Sequence, residues 1–344
     1  FFLADTERGY EFKVITEIWD VLRAFASFGF CKAHAAAFAL PTYQSAYLKT
    51  HYPAAFIAGI LTHDPGMYPK RLMIDEARQL GVGLAPLDIN YSGSQYTVEK
   101  NETGQDSVRI ALTSVAGISD KEVASIVAGR PYIDLADFYR RSGASHPVIE
   151  TLIMTGAFDQ VHSLNDGTIN HRDLLLHLSD LTRSPVATVA GSQMVFGFAP
   201  PDVAASGLPA MGPAEKVRNE VERLGMDITH HMLEFYAPFL NAIGAVKSSD
   251  LLSLRSQSEV LVAGIKVAMQ TPPVRSGRRV IFLTLDDGYG CTDSTFFSGA
   301  QEGFASTLYS SSILLVRGKT RRTGDRGISI NASGAWDLRQ AYEK

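Results

Sequence analysis

The chain has 344 residues, 45% of them hydrophobic and 20% charged, with a net charge of −4. That length exceeds one ordinary core and predicts two to four domains, and the charge balance excludes a polycation, so any nucleic-acid contact must come from local basic patches. Two well-separated cysteines, Cys31 and Cys291, exclude a disulfide framework and a thiolate zinc site and fit a reducing, cytoplasmic compartment. No run reaches the roughly 18 apolar residues of a membrane span, so no membrane contact is expected.

The start, Phe1-Phe2-Leu3-Ala4, has no basic leader region and no initiator Met, and reads as the middle of a longer protein. Residues 1–105 read as helical. Ile18, Val21, Leu22 and Phe25 keep a 3–4 spacing, Pro41 and Pro53 are expected to break the helices that follow, and Lys70 to Leu80 is an amphipathic helix stopped by Gly81. Tyr96 and Val98 mark a small extended segment. Residues 106–183 hold two similar helix–turn–helix units, centred on Gly117 and Gly156. Residues 184–214 are rich in proline, glycine, serine and alanine and read as a mobile linker. Helical periodicity returns over 215–257.

From 258 to 344 the period switches to short strands: Val260–Val267, Arg279–Leu285, Cys291–Phe297, Ile313–Val316 and Ile328–Ile330. Turn signals at Asp286-Asp287-Gly288 and Thr323-Gly324-Asp325 separate some of them. The fold class is therefore multidomain, mainly α-helical followed by a small all-β barrel, with an OB-fold the leading candidate.

Three places can carry chemistry. Lys32 and His34 follow the Gly29 turn and can meet an anion such as a triphosphate, although Lys-x-His is equally a solvated helix start. The run Val115-Ala116-Gly117-Ile118-Ser119, with Lys121 beyond it, fits a hairpin that offers backbone N–H groups to a phosphate. The plain alternative is a helix corner. The Gly156 unit is followed by Asp159, which repels phosphate, so its expected work is packing. In the barrel, eight Lys/Arg against five Asp/Glu lie between Val274 and Arg326, clustered as Arg275, Arg278, Arg279 and as Lys319, Arg321, Arg322. Such a rim suits a single-stranded nucleic acid, while Phe282, Phe296 and Phe297 are expected to fill the barrel. Asp286-Asp287 reads as a hairpin turn, not a metal site. Adjacent His230-His231 point apart on a helix and make no zinc pair. There is no phosphate-binding Gly-rich loop ending in Lys-Ser/Thr.

The segment from Phe28 to Pro53 closely resembles the DnaE-type α subunit of bacterial DNA polymerase III, most closely its error-prone, ImuC-like branch. Thr62-His63-Asp64-Pro65-Gly66-Met67-Tyr68-Pro69 resembles that branch specifically. Residues Asp134 to Tyr139 and Leu152 to Asp159 resemble its tandem helix–hairpin–helix region, and Val262-Ala263-Gly264, Phe282 to Asp287 and Leu315-Val316-Arg317-Gly318 its OB domain. The resemblance implies distal fingers over 1–105, with Lys32, His34 and Phe38 facing the incoming nucleotide. Phe38 stands where a tyrosine is usual. It implies DNA contact at Gly117, Ser119 and Lys121 and at the basic barrel rim, with primer-template DNA, single-stranded template and dNTP as partners. An ImuB-like Y-family accessory protein, and through it the sliding clamp, are further implied partners. No residue matches the palm carboxylates that hold Mg²⁺ in the full-length polymerase, so no cofactor and no primer extension are expected of this portion alone. Two rival readings are an interaction module that recruits the polymerase, with incidental DNA contact, and an unrelated RNA-binding OB protein.

Overall fold

The computed structural model describes residues 8–26, 32–64, 66, 68–183, 202–272, 279–301 and 303–343. Two compact units result, Phe1–Tyr52 and Pro53–Lys344.

In the first unit, helix α1 spans Phe12–Ala26 and α2 spans Lys32–His51. Pro41 does not end α2 but lies inside it. The ring removes one N–H donor, and next to it the Thr42 hydroxyl donates to the Phe38 carbonyl at 2.7 Å. Small residues dominate the helix, no clear apolar stripe forms, and none of its described residues is buried.

The second unit begins where Pro53 opens α3 (Pro53–His63), because proline suits a first helical turn. Ala54, Ile57, Ala58 and Leu61, at helical spacing, bury one face. Helix α4 (Lys70–Gln79) ends on Gly81, with Val82 N–H donating to the Ala77 carbonyl and Gly81 N–H to that of Arg78. A three-stranded sheet follows: β1 (Gly83–Ala85), β2 (Thr97–Lys100) and β3 (Asp106–Arg109), with β3 central. The hairpin helices are α5 (Asp120–Ala128), α6 (Leu135–Arg141), α7 (His146–Met154) and α8 (His171–Arg183). Helix α9 spans Pro213–Leu224. One apolar core, from Ala54 to Ile228, joins α3, α4, the sheet and the hairpins.

Residues 184–201 of the expected linker lie outside the described residues. The rest is fastened: Asp173 accepts from Ser206 N–H at 2.8 Å, and Asn170 donates to the Leu208 carbonyl at 2.9 Å. Beyond α9 the helix stops at Gly225, and a 3₁₀ turn (Met232–Tyr236) and two short helices, α10 (Ala237–Ala242) and α11 (Ser248–Leu251), lead to the barrel.

The barrel strands are β4 (Glu259–Gln270), β5 (Ile281–Asp286), β6 (Cys291–Phe296), β7 (Ile313–Arg322) and β8 (Ile328–Asp337). They close in the order β4-β5-β6-β8-β7. Helices α12 (Ser298–Gln301) and α13 (Ala305–Ser310) link β6 to β7, and α14 (Leu338–Tyr342) follows β8. A bulge between Lys266 and Ala268 bends β4, which pairs with β7 along one part and with β5 along the other. The inside holds Val260, Val262, Leu283, Leu285, Phe296, Leu314, Val316 and Ile330. The expected fold, a helical hairpin region followed by a five-stranded OB-type barrel, is the one observed. Its strands β4, β7 and β8 are several residues longer than their apolar runs, because polar residues such as Glu259, Gln270, Lys319, Arg321 and Asn331 continue the pairing past those runs.

Candidate nucleic-acid interface

Lys32, His34 and Phe38 lie on one helix of the first unit, all exposed. One turn apart, the His34 and Phe38 rings meet edge-to-face at 4.6 Å between centroids. Lys32 is the first helical residue. Gly29 and Cys31 lie outside the described residues.

The two hairpin turns differ. Gly117 is left-handed at φ +80, and a Cβ there would meet nothing within 4 Å. Its turn is exposed, as is Lys121. Ser119 caps α5: its hydroxyl accepts from Glu122 N–H at 3.3 Å and donates to Glu122 Oε2 at 2.7 Å. The Glu122 carboxylate also accepts from the backbone of Ser119 and Ser145, each at 2.9 Å. Led by the Ser145 backbone hydrogen bond, these donors hold its pKa down to about 2. Gly156 is equally left-handed at φ +84, but Asp159 Oδ2 would lie 2.9 Å from its Cβ. Asp159 is itself held by His171 at 2.8 Å and Lys216 at 3.4 Å. The chain's own carboxylate thus fills the second turn and leaves the first open.

The barrel surface supplies the widest set of candidate contacts. Along β5, Ile281, Leu283 and Leu285 point inward, so Phe282 and Thr284 point outward. Phe282 is 45% exposed and Phe297, just past β6, 49%, whereas Phe296 is fully buried. The expectation that all three fill the barrel therefore holds for Phe296 alone. Strict strand alternation was the signal that separates them. Pairing sets Phe282 opposite Thr295, Thr295 opposite Asn331, and Asn331 opposite Lys319, a line across β5, β6, β8 and β7. At a strand spacing of about 4.8 Å, the line runs about 14 Å along the sheet backbone from Phe282 to Lys319. Arg317 and Arg321 lie two residues either side of Lys319, on the same outward row of β7.

The other basic residues are placed differently. Arg322 donates to the carbonyls of Leu252 and Leu254, so its guanidinium fastens the segment before β4. Arg317 pairs with Glu259 at 3.0 Å. Arg279 is exposed at the entry to β5. Arg275 and Arg278 lie outside the described residues. Asp293, hydrogen-bonded by Thr284 at 2.7 Å, is an acid on the β5–β6 face.

Sequence spacing gave no sign of a third feature. Asp286-Asp287-Gly288 is a hairpin turn, with Gly288 N–H donating to Asp286 Oδ1 at 3.0 Å. Yet Asp286 Oδ2 lies 3.4 Å from both His231 Nε2 and Arg71 Nη2, groups distant in sequence. His231 is not on a helix. It caps the 3₁₀ turn from extended backbone, which directs its ring to Asp286 and Asp75, while His230 stays apart against Phe235. Asp75, Asp227, His231 and Asp286 are all buried. Burial first, then the neighbouring Asp286, raises the Asp75 pKa to about 7. Burial opposes a charge on Asp286 too, but the hydrogen bonds with His231 and from Gly288 N–H override it and hold its pKa down.

Residues 81–166 match the family described as Helix-hairpin-helix motif, and residues 260–338 match OB-fold nucleic acid binding domain. The error-prone DNA polymerase of Symbiobacterium thermophilum is 32% identical, over 94% of this chain and 33% of that protein. That of Bdellovibrio bacteriovorus is 31% identical, over 90% of this chain and 30% of that protein. The DNA polymerase III subunit alpha of Vibrio cholerae is 29% identical, over 98% of this chain and 30% of that protein. The chain spans about a third of the length of these relatives. It carries a helix–hairpin–helix region followed by an OB-fold domain, and over nine-tenths or more of its length it is similar in sequence to error-prone DNA polymerases of the DnaE type.

Proposed function

We propose that this chain is a nucleotide- and DNA-contacting portion of an error-prone, translesion DNA-directed DNA polymerase of the ImuC kind. The observation that carries the reading is the outer line of the barrel, with exposed Phe282 and Phe297 at one end and the Lys319–Arg321 row at the other. Aromatic faces stack bases of any sequence, and cations follow the phosphates, which is what an unread template strand requires. The open Gly117 turn with Lys121 grips duplex phosphate without reading bases, and Ser119 contributes as the helix cap that shapes the turn. Lys32 and the His34–Phe38 pair meet the incoming dNTP. In the full-length polymerase, palm carboxylates elsewhere hold Mg²⁺ for phosphoryl transfer, so this portion alone does not extend a primer. An ImuB-like protein brings it to the sliding clamp in DNA-damage tolerance in the bacterial cytoplasm.

The test is fluorescence anisotropy with a labelled single-stranded oligonucleotide across a salt series. Binding that weakens steeply with salt, and is lost in a Phe282→Ala/Phe297→Ala double variant, supports the reading. No binding at low salt, together with tight capture of the accessory protein, replaces it with a recruiting module. A marked preference for RNA points to an RNA-binding OB protein.

A further inference from the structure

The buried polar cluster joins three separate parts of the second unit. Arg71, Asp75 and Arg78 come from α4, Asp227 and His231 from the segment after α9, and Asp286 from the end of β5. It is where the barrel meets the helical body. Arg78 donates to Asp75 at 2.5 Å and also reaches the Asp227 and Ile228 carbonyls, at 2.5 and 3.0 Å. Arg71 Nη2 lies 3.3 Å from His231 Nε2, 3.4 Å from Asp286 and 3.8 Å from Asp227.

Three carboxylates, of Asp75, Asp227 and Asp286, face two guanidiniums, of Arg71 and Arg78. One negative charge is left over in a buried site, and a buried unpaired charge is strongly destabilising. Asp75 Oδ2 has no hydrogen-bond partner among the described residues and lies 3.8 Å from His231 Nε2. Asp75, His231 and Asp286 each bring a donor atom within 4.8 Å of the others. Arg71 already stands among those atoms as a fixed cation, so a divalent ion would overshoot neutrality where a single proton restores it.

We propose that a single proton, carried by Asp75 beside the His231 ring whose Nδ1 accepts from Leu233 N–H at 3.3 Å, closes this cluster and latches the barrel to the helical body, so that the latch loosens as pH rises. Among the described residues, three other titratable groups lie beside it. Glu234 accepts from His231 N–H at 3.0 Å, and Asp287 is held away by Ser248. The Cys291 thiol is pushed up to about 11, chiefly by burial and then by Asp286, and stays neutral.

The signs agree with the geometry. Asp75 has a raised pKa, so its contribution is complete below its unfolded value and is lost as pH rises through the folded one. Asp286 is shifted down, so its contribution is lost only on strong acidification. The latch therefore holds from mildly acidic to near-neutral pH.

Hydrogen–deuterium exchange of the full chain, corrected for intrinsic base catalysis, tests this without DNA. Protection of residues 227–232 and 286–290 is expected to fall together by about tenfold or more between about pH 6 and about pH 9, with α6 unchanged. Asp75→Asn balances the charge without a proton and is expected to abolish the fall. His231→Gln is expected to be open at both pH values. Constant protection in the unaltered chain overturns the proposal, as does an Asp75→Asn variant that opens as the unaltered chain does. Stoichiometric binding of added Zn²⁺ or Mn²⁺ that restores protection at the higher pH also overturns it, since the cluster would then be an ion site. If His231→Gln fails to fold, the first two proteins still decide.

Discussion

Two regions of the barrel's outer surface stand on the same strands and have opposite fates. In one, the outward positions of β4, β5 and β7, among them Ala263, Ile265, Asp286, Ile313 and Leu315, are buried. Residues 231–243 cover them, through Leu233, Tyr236, Phe239 and Leu240 on the apolar rows and through His231 on Asp286. Away from that patch the β5 row continues to Phe282 and the β7 row, in the opposite direction along β4, to Lys319 and Arg321, and nothing covers these residues among the described residues. An outward strand position is thus not a surface position until its cover is known. One region serves assembly of the unit, and the other is free for a ligand.

The sharpest contrast is between charges of one type. Arg71→Ala in the covered region leaves buried carboxylates unpaired and is expected to cost about 3–5 kcal/mol of stability. Arg321→Ala in the open region is expected to stay within about 0.5 kcal/mol. Urea unfolding of both variants measures this, and equal effects would erase the distinction. Adjacent phenylalanines give the second contrast. Phe296→Ala, in the core, is expected to cost about 3–5 kcal/mol of stability. Phe297→Ala should leave the unfolding midpoint nearly unchanged and weaken single-strand binding by about 1–3 kcal/mol. A Phe297→Ala variant that is destabilised but binds normally would move that ring from the interface to the fold.

These contrasts also mark what the sequence could disclose. Apolar alternation gave the five strands, and helical spacing gave the helical body, because both depend on neighbours a few residues away. Pro41 misled because a proline removes only its own N–H donor, and the helix from Lys32 to His51 continues past it. The phenylalanines were read from composition, although the in–out order of Ile281 to Leu285 already placed Phe282 outside. The Arg71–His231–Asp286 cluster was not legible, since its members meet only when α4, the segment after α9 and β5 come together. Arg322 likewise looks like a rim cation until the carbonyls of Leu252 and Leu254 are found beside it.

A smaller effect is expected from the open row itself. If Lys319 and Arg321 contact phosphates as proposed, replacing both by Ala should make the slope of log affinity against log salt shallower by about 0.7 for each residue lost. On that reading the loss should be alike for all base sequences, since phosphate contacts carry no base identity. Arg322→Ala is the control. Its guanidinium is engaged by backbone carbonyls, so the slope should stay while stability falls modestly. A slope that changes with Arg322 and not with Arg321 would reverse the assignment of the two neighbours.

Ser119 asks the same question at the smallest scale: whether a polar group near a phosphate site is free or already engaged. Its hydroxyl both accepts from and donates to Glu122. Ser119→Ala should therefore cost about 1 kcal/mol of stability, the usual worth of a helix cap. Ser119→Asp keeps the cap acceptor but places a second carboxylate beside Glu122, at the mouth of the turn. If the turn at Gly117 holds duplex phosphate through its backbone and Lys121, the Ala variant binds duplex normally once folded and the Asp variant binds it more weakly. If instead the hydroxyl is the phosphate donor, both variants lose affinity together. Duplex binding measured well below the unfolding temperature separates the two, because the cap acts on the population of folded turn and the donor acts on the contact itself.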